Sequence, residues 1–149
     1  MKRPCILVSA CLLGKNCKYN GSNNYNKRIE EYTKDYDVIM ICPEVMAGLG
    51  IPREALEIKD DHLITKEGKD YTKNMQDACD EIKKLIKEKK PALAILKARS
   101  PSCGKGEIYD GTFTHTKVFK NGMACDVILK EGIKVLSEEE IEGKIWRYQ

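Results

Sequence analysis

No stretch of the 149-residue sequence approaches the ~18–20 consecutive apolar residues that a transmembrane helix needs. Strong charge of either sign is also missing. The 26 basic and 23 acidic side chains leave a net charge of +3, too little by itself to point to nucleic acid. Internal repeats, linkers and low-complexity tracts are absent, so nothing divides the chain, and its length fits one domain spanning residues 1–149. Seven cysteines are an odd number, so they have no complete disulfide pairing, and they fall below the ~8–10% that marks a disulfide scaffold. The paired Cys-x-x-Cys spacing of zinc modules and the regular spacing of ferredoxins are missing too.

What is present begins at the N-terminus. Lys2 and Arg3 precede the apolar run Cys5-Ile6-Leu7-Val8-Ser9-Ala10-Cys11, and Val8-Ser9-Ala10-Cys11 imitates a lipoprotein cleavage box. Only six residues of the run precede Cys11 and Pro4 stands at its edge, short of the ~7–15 apolar residues of a secretory segment, so a buried first strand is the better account. The expected setting is cytoplasmic and reducing, where cysteines serve metals or catalysis more often than disulfides.

Further along, Val38-Ile39-Met40-Ile41 and Ala92 to Leu96 read as buried strands, and Ile133 to Leu136 as a fourth. Leu56-Glu57-Ile58 and His62-Leu63-Ile64 suggest a small hairpin around Lys59-Asp60-Asp61. Tyr25, Ile29 and Tyr32 keep helical spacing within 23–33. Met75, Ala78, Cys79, Ile82, Leu85 and Ile86 share one helical face within 70–90, a helix that Pro91 stops. Met123 to Glu131 predicts a further helix, and Ser137 with Glu140 a capping box for the last one. The pattern predicts an α/β domain with a single open, mostly parallel sheet, flanking helices and right-handed crossovers. Ligands of such sheets bind beyond the carboxyl ends of the strands. Cys11, Cys42 and Cys103 each follow a predicted strand, so a parallel sheet brings three distant loops to one edge.

The other cysteines read differently. Cys5, Cys79 and Cys125 suit packing. Cys17, in the polar loop Gly14-Lys15-Asn16-Cys17-Lys18, is either exposed or a fourth ligand. Thiolates select iron–sulfur clusters, zinc or cuprous copper. Three protein ligands on a cubane leave one iron open, a Lewis acid for a sulfur or oxygen leaving group. Glu44 stands two residues from Cys42 as a candidate general base, with a helix-start carboxylate or a salt bridge to Arg53 or Arg99 as the alternatives. Ser100, three residues before Cys103, offers a hydroxyl to orient a substrate or relay a proton.

Five segments occur in order: Ser9-Ala10-Cys11-Leu12-Leu13-Gly14, Cys42-Pro43-Glu44-Val45, Ile51-Pro52-Arg53, Arg99-Ser100-Pro101-Ser102-Cys103-Gly104 and Ile108-Tyr109-Asp110-Gly111-Thr112-Phe113. Together they resemble the DUF523 family, whose characterised members are thiouracil desulfidases. The resemblance implies an oxygen-sensitive 4Fe–4S cluster held by Cys11, Cys42 and Cys103, with one open iron that takes the sulfur of a thiolated pyrimidine. It maps the assisting acid and serine onto Glu44 and Ser100. The expected chemistry is non-redox, hydrolytic desulfuration of a compound such as 4-thiouracil, with sulfide released. Tyr19, Arg99, Ser102 and Phe113 are the expected substrate contacts, Tyr19 or Phe113 by stacking. Where the family usually carries Arg-Tyr-Asp-Gly, this chain has Lys18-Tyr19-Asn20-Gly21, which bears on specificity. Some relatives carry an extra domain associated with thiolated tRNA. The length here leaves no room for one, so a free base or nucleoside is the expected partner.

The rival is a structural zinc or sulfur-binding module without catalysis, which needs Cys17 or His115 as a fourth ligand. RNA binding through Lys83, Lys84, Lys87, Lys89 and Lys90 is set aside, because a solvated helix face explains that run more simply. No membrane partner is expected, and oligomeric state is not legible.

Overall fold

The computed structural model describes residues 3–142. Four strands, β1 (Cys5–Ser9), β2 (Asp37–Ile41), β5 (Leu93–Leu96) and β8 (Val135–Ser137), form one sheet in the order β2-β1-β5-β8, and every neighbouring pair is parallel. The remaining strands pair in two separate antiparallel ribbons. These are the expected hairpin, β3 (Leu56–Lys59) with β4 (His62–Thr65), and a second one, β6 (Ile108–Tyr109) with β7 (Lys117–Val118), that the sequence did not signal.

Helices cover both faces of the central strands β1 and β5, which are almost wholly apolar. By contrast β2, expected to be buried, is an edge strand with Asp37 and Met40 exposed and only Ile41 buried. On one face Ile6, Val8, Leu93, Ile95 and Leu136 pack with Ile29 of α1 (Lys27–Tyr32) and Ile141 of α5 (Glu138–Glu142). On the other, Leu7, Ala94 and Leu96 pack with Met75, Ala78, Cys79 and Ile82 of α3 (Thr72–Lys89) and Ala124, Cys125 and Ile128 of α4 (Met123–Lys130). Alternation along β1 and β5 thus sends successive side chains to opposite cores. Cys79 and Cys125 are buried packing residues, as expected. No described helix is long and apolar enough to cross a membrane.

Local signals set most boundaries. Asn26 accepts from the amides of Arg28 and Ile29 and so starts α1 later than the tyrosine spacing suggests. Lys90 closes α3 in the left-handed region. Ser137 and Glu140 exchange amide hydrogen bonds of 3.1 and 3.4 Å, the expected capping box, although Ser137 also ends β8. That strand begins at Val135 rather than Ile133, because Ile133 closes α4 through its amide bond to the Ile128 carbonyl.

The chain leaves β1 for β2 on one side and reaches β5 on the other. The carboxyl ends of β1 and β5 therefore flank the point where strand order reverses, the place where open α/β sheets bind ligands.

Candidate functional site

Three short segments meet at that edge. The first is a 3-10 turn, Ala10–Leu13, which carries Cys11 directly after β1. It ends at Gly14, whose φ of 93° is a left-handed conformation suited to glycine. The Cys11 carbonyl accepts from the amides of Gly14 and Asn24, and the Asn24 side-chain amide donates to Cys11 Sγ at 3.4 Å.

The second segment is α2 (Pro43–Met46), with Cys42 as its N-cap, Pro43 at the first position and Glu44 in the first turn. Proline has no N–H to leave unpaired there, and an acidic side chain suits a helix start. The Cys42 thiol donates to the Cys17 carbonyl at 3.8 Å.

The third segment follows β5 and holds Cys103. The Ser100 hydroxyl accepts from the amides of Ser102 and Cys103, at 3.2 and 3.0 Å. The carbonyls of this loop in turn satisfy the free amides of α4. Pro101 O takes Met123 N–H, and Ser102 O takes those of Ala124 and Cys125. The approach is so close that a Cβ on Gly122 would lie 2.6 Å from the Ser102 carbonyl carbon, and one on Gly104 would lie 2.7 Å from the Ser100 oxygen.

These segments open on a cavity of about 460 Å³. Of the residues expected from the sequence, Cys11, Cys42, Cys103, Glu44, Ser100, Ser102, Tyr19 and Arg99 line it, while Phe113 does not. Arg99, at φ 63°, spends both terminal nitrogens on Glu139, at 2.9 and 2.7 Å, and Glu139 raises its pKa further. Cys17 is buried and on the wall, rather than exposed. His115 is also on the wall, edge-on to the Tyr109 ring at 5.8 Å.

Glu44 combines both alternative readings, since it starts a helix and pairs with Arg53, whose Nε lies 2.9 Å from Oε1. Its other oxygen accepts from the Ser102 hydroxyl at 3.3 Å. Ser102 Oγ also lies 3.0 Å from Ser100 Oγ and 3.8 Å from Cys103 Sγ. Glu44, Ser102, Ser100 and Cys103 therefore form one connected polar chain.

Three wall residues had no place in the sequence reading. Asn24 looked like part of a polar helix start. Glu57 is a buried carboxylate on β3 that accepts from the amides of Gly111 and Phe113 and so tethers the loop leading to His115. Lys97 pairs with Glu138 at 3.0 Å. Glu57 and Lys97, polar residues next to apolar strand residues, carry a faint signal, whereas Asn24 lies in a polar stretch and carries none.

Burial raises the thiols of Cys11, Cys17 and Cys103, Cys17 to about 12, and proximity to one another adds to it. Hydrogen bonds from Asn24 to Cys11 and from Ser9 and Ser102 to Cys103 act in the opposite direction. Donors aimed at buried sulfurs stabilise thiolate, and a positively charged iron would complete the compensation. The donor set therefore fits a thiolate-bound cluster. Among the described residues no three His, Cys, Asp or Glu side chains gather tightly enough to hold a single metal ion.

Comparison with known proteins identifies the family. The protein YbbK of Bacillus subtilis (strain 168) is 36% identical over 146 residues, 91% of this chain and 97% of its own. A solved structure of TudS, described as a 4Fe–4S-dependent thiouracil desulfidase, superposes with a TM-score of 0.86 at 31% identity and covers 94% of each chain. Residues 6–140 match the 2-thiouracil desulfurase family, a family of desulfidase enzymes. The chain, an α/β desulfidase with Cys11, Cys17, Cys42 and Cys103 on one cavity at the sheet edge, belongs to the 2-thiouracil desulfurase family.

Proposed function

We propose that this enzyme removes the sulfur of a small thiolated pyrimidine, 4-thiouracil or its nucleoside, by hydrolysis. In this reading Cys11, Cys42 and Cys103 hold a 4Fe–4S cluster whose fourth iron has no protein ligand. When bound, that group supplies a Lewis acid for the thiocarbonyl sulfur. The single observation that carries the reading is the convergence of the three cysteines with Glu44 on one cavity.

Glu44 accepts a proton from the water that adds to the ring carbon. The water's second proton passes to the sulfur, and the carbon–sulfur bond breaks with its electron pair going to sulfur. Hydrosulfide departs, and the carbon is left as a carbonyl with no change of oxidation state. The Ser102 hydroxyl and Arg53 fix the two Glu44 oxygens, so that the carboxylate meets water in one orientation. Ser100 holds the Cys103 loop through two amides and orients the base with its remaining proton, directly or through Ser102. Tyr19, half exposed at the rim, offers a ring to the pyrimidine face. Arg99, held by Glu139, contributes its charge to the wall. Phe113 reaches a substrate only from beyond the cavity wall, on the loop that Glu57 tethers.

Protein reconstituted anaerobically with iron and sulfide should release sulfide from 4-thiouracil. Release no greater than that of Cys103→Ala overturns the proposal. A Glu44→Gln variant that keeps its cluster and its full rate removes Glu44 from the chemistry.

A further inference from the structure

We infer that Arg53 is a positioning residue that sets the orientation of Glu44 relative to the Cys17 and Cys42 segments. The inference rests on the proposed role of Glu44. Arg53 is nearly buried, with 8% of its side chain exposed against 13% for Glu44. Its three donor groups reach three different segments. Nε donates to Glu44 Oε1 at 2.9 Å, Nη1 to the Gly50 carbonyl at 2.9 Å and Nη2 to the Cys17 carbonyl at 2.8 Å. The same Cys17 carbonyl accepts from the Cys42 thiol, and the Arg53 amide donates to the Tyr19 carbonyl at 2.7 Å.

One guanidinium plane thus ties the carboxylate on α2 to the loop after Cys11. Arg53 itself is held by two carbonyls, so it cannot follow Glu44 if the carboxylate swings. Orientation, more than charge, is what this arrangement provides. A lysine would keep the positive charge but present a single ammonium where the fork makes three contacts in fixed directions. Displacing a reacting group by about 1 Å costs on the order of 10²-fold in rate.

The test is a double-mutant cycle on anaerobic, iron-loaded protein, using Arg53→Lys, Glu44→Gln and both together. Sulfide release from 4-thiouracil gives kcat and KM. Iron per chain, visible absorbance and equilibrium binding of uracil are measured alongside. The expected result is that Arg53→Lys retains iron, absorbance and uracil affinity and loses about 10²-fold in kcat with KM little changed. In the Glu44→Gln background the same change should cost nothing further. An equal loss in both backgrounds overturns the inference, because Arg53 would then act elsewhere. Weakened uracil binding makes Arg53 a substrate ligand and also overturns it, as does loss of iron, which makes the residue a support of the cysteine loops. If Glu44→Gln alone keeps full kcat, the proposed role of Glu44 fails first. That outcome is distinct from an Arg53 failure and removes the basis of this inference.

Discussion

Ser102 donates its hydroxyl proton to Glu44 across 58 residues of sequence, at 3.3 Å, while lying 3.8 Å from the sulfur of Cys103. A side chain from the loop after β5 thereby meets one from the helix after β2 beside two of the candidate cluster ligands. The hydroxyl has one proton and three acceptors within reach, Glu44 Oε2, Ser100 Oγ and Cys103 Sγ. Its position makes Ser102, rather than Ser100, the serine in contact with the carboxylate.

Replacing Ser102 with alanine removes one of the two donors holding Glu44 and leaves Ser100 its two amides. The expected loss in desulfidation rate is about 10- to 100-fold, at the lower edge of what positioned acid–base groups contribute. Sulfide release per iron-loaded chain measures it, and a wild-type rate would dissociate Ser102 from Glu44 function.

The Cys17 carbonyl accepts from both Arg53 and Cys42, and its thiol also lies beside the Cys42 sulfur. Serine at this position keeps the carbonyl and a similar volume. Cys17→Ser should therefore bind as much iron as wild type, whereas Cys11→Ser should bind markedly less. Iron and acid-labile sulfide analysis after anaerobic reconstitution gives the answer, and loss of iron in Cys17→Ser would make Cys17 a ligand.

Gly104 and Gly122 let two backbone segments approach more closely than a side chain permits. Neither has room for a Cβ: at Gly122 the nearest atoms are backbone of Ser100 and Ser102, and at Gly104 they are the Ser100 and Glu107 carbonyl oxygens and the Ile108 side chain. Gly122→Ala should destabilise the fold by about 1–3 kcal/mol, as overpacking does. Urea unfolding of the metal-free protein checks this against Gly48→Ala, where no atom lies within 4 Å and only the positive φ penalises a side chain.

Burial raises the thiol of Cys79 to about 11 and that of Cys125 to about 12. Each stays protonated in the folded chain at a pH where the unfolded chain has released its proton. The native state then binds more protons, so stability is fully present below the unfolded value near 9 and falls as pH rises through 11 and 12. The melting temperature of metal-free protein should drop between pH 8 and pH 11. Cys79→Ala with Cys125→Ala should make that drop shallower, and an unchanged slope would assign it to other groups.

The strands β1, β2 and β5 were legible in the sequence as apolar runs with no alternation. Burial on both faces explains that pattern for β1 and β5 but not for the edge strand β2, whose Met40 is exposed. The long helix α3 was legible from its single apolar face, and the capping box from its three-residue spacing. The ribbon of β6 and β7 was not, since two-residue strands carry no period. β8 began two residues late, because a turn at the end of α4 claimed the apolar Ile133 that strand propensity would have included.

The sequence by itself determined which residues could carry the chemistry. Cysteines after apolar strands, with proline, serine and glycine around them, specify strand-end loops wherever the sheet is parallel. Tertiary structure alone decided which of those groups touch. Hydrogen bonds between Ser102 and Glu44 and between Arg53 and the Cys17 carbonyl join segments on different strand connections, and the one between Asn24 and Cys11 folds a single connection back on itself. A linear pattern records the period of each strand and helix, but not which of their ends lie side by side.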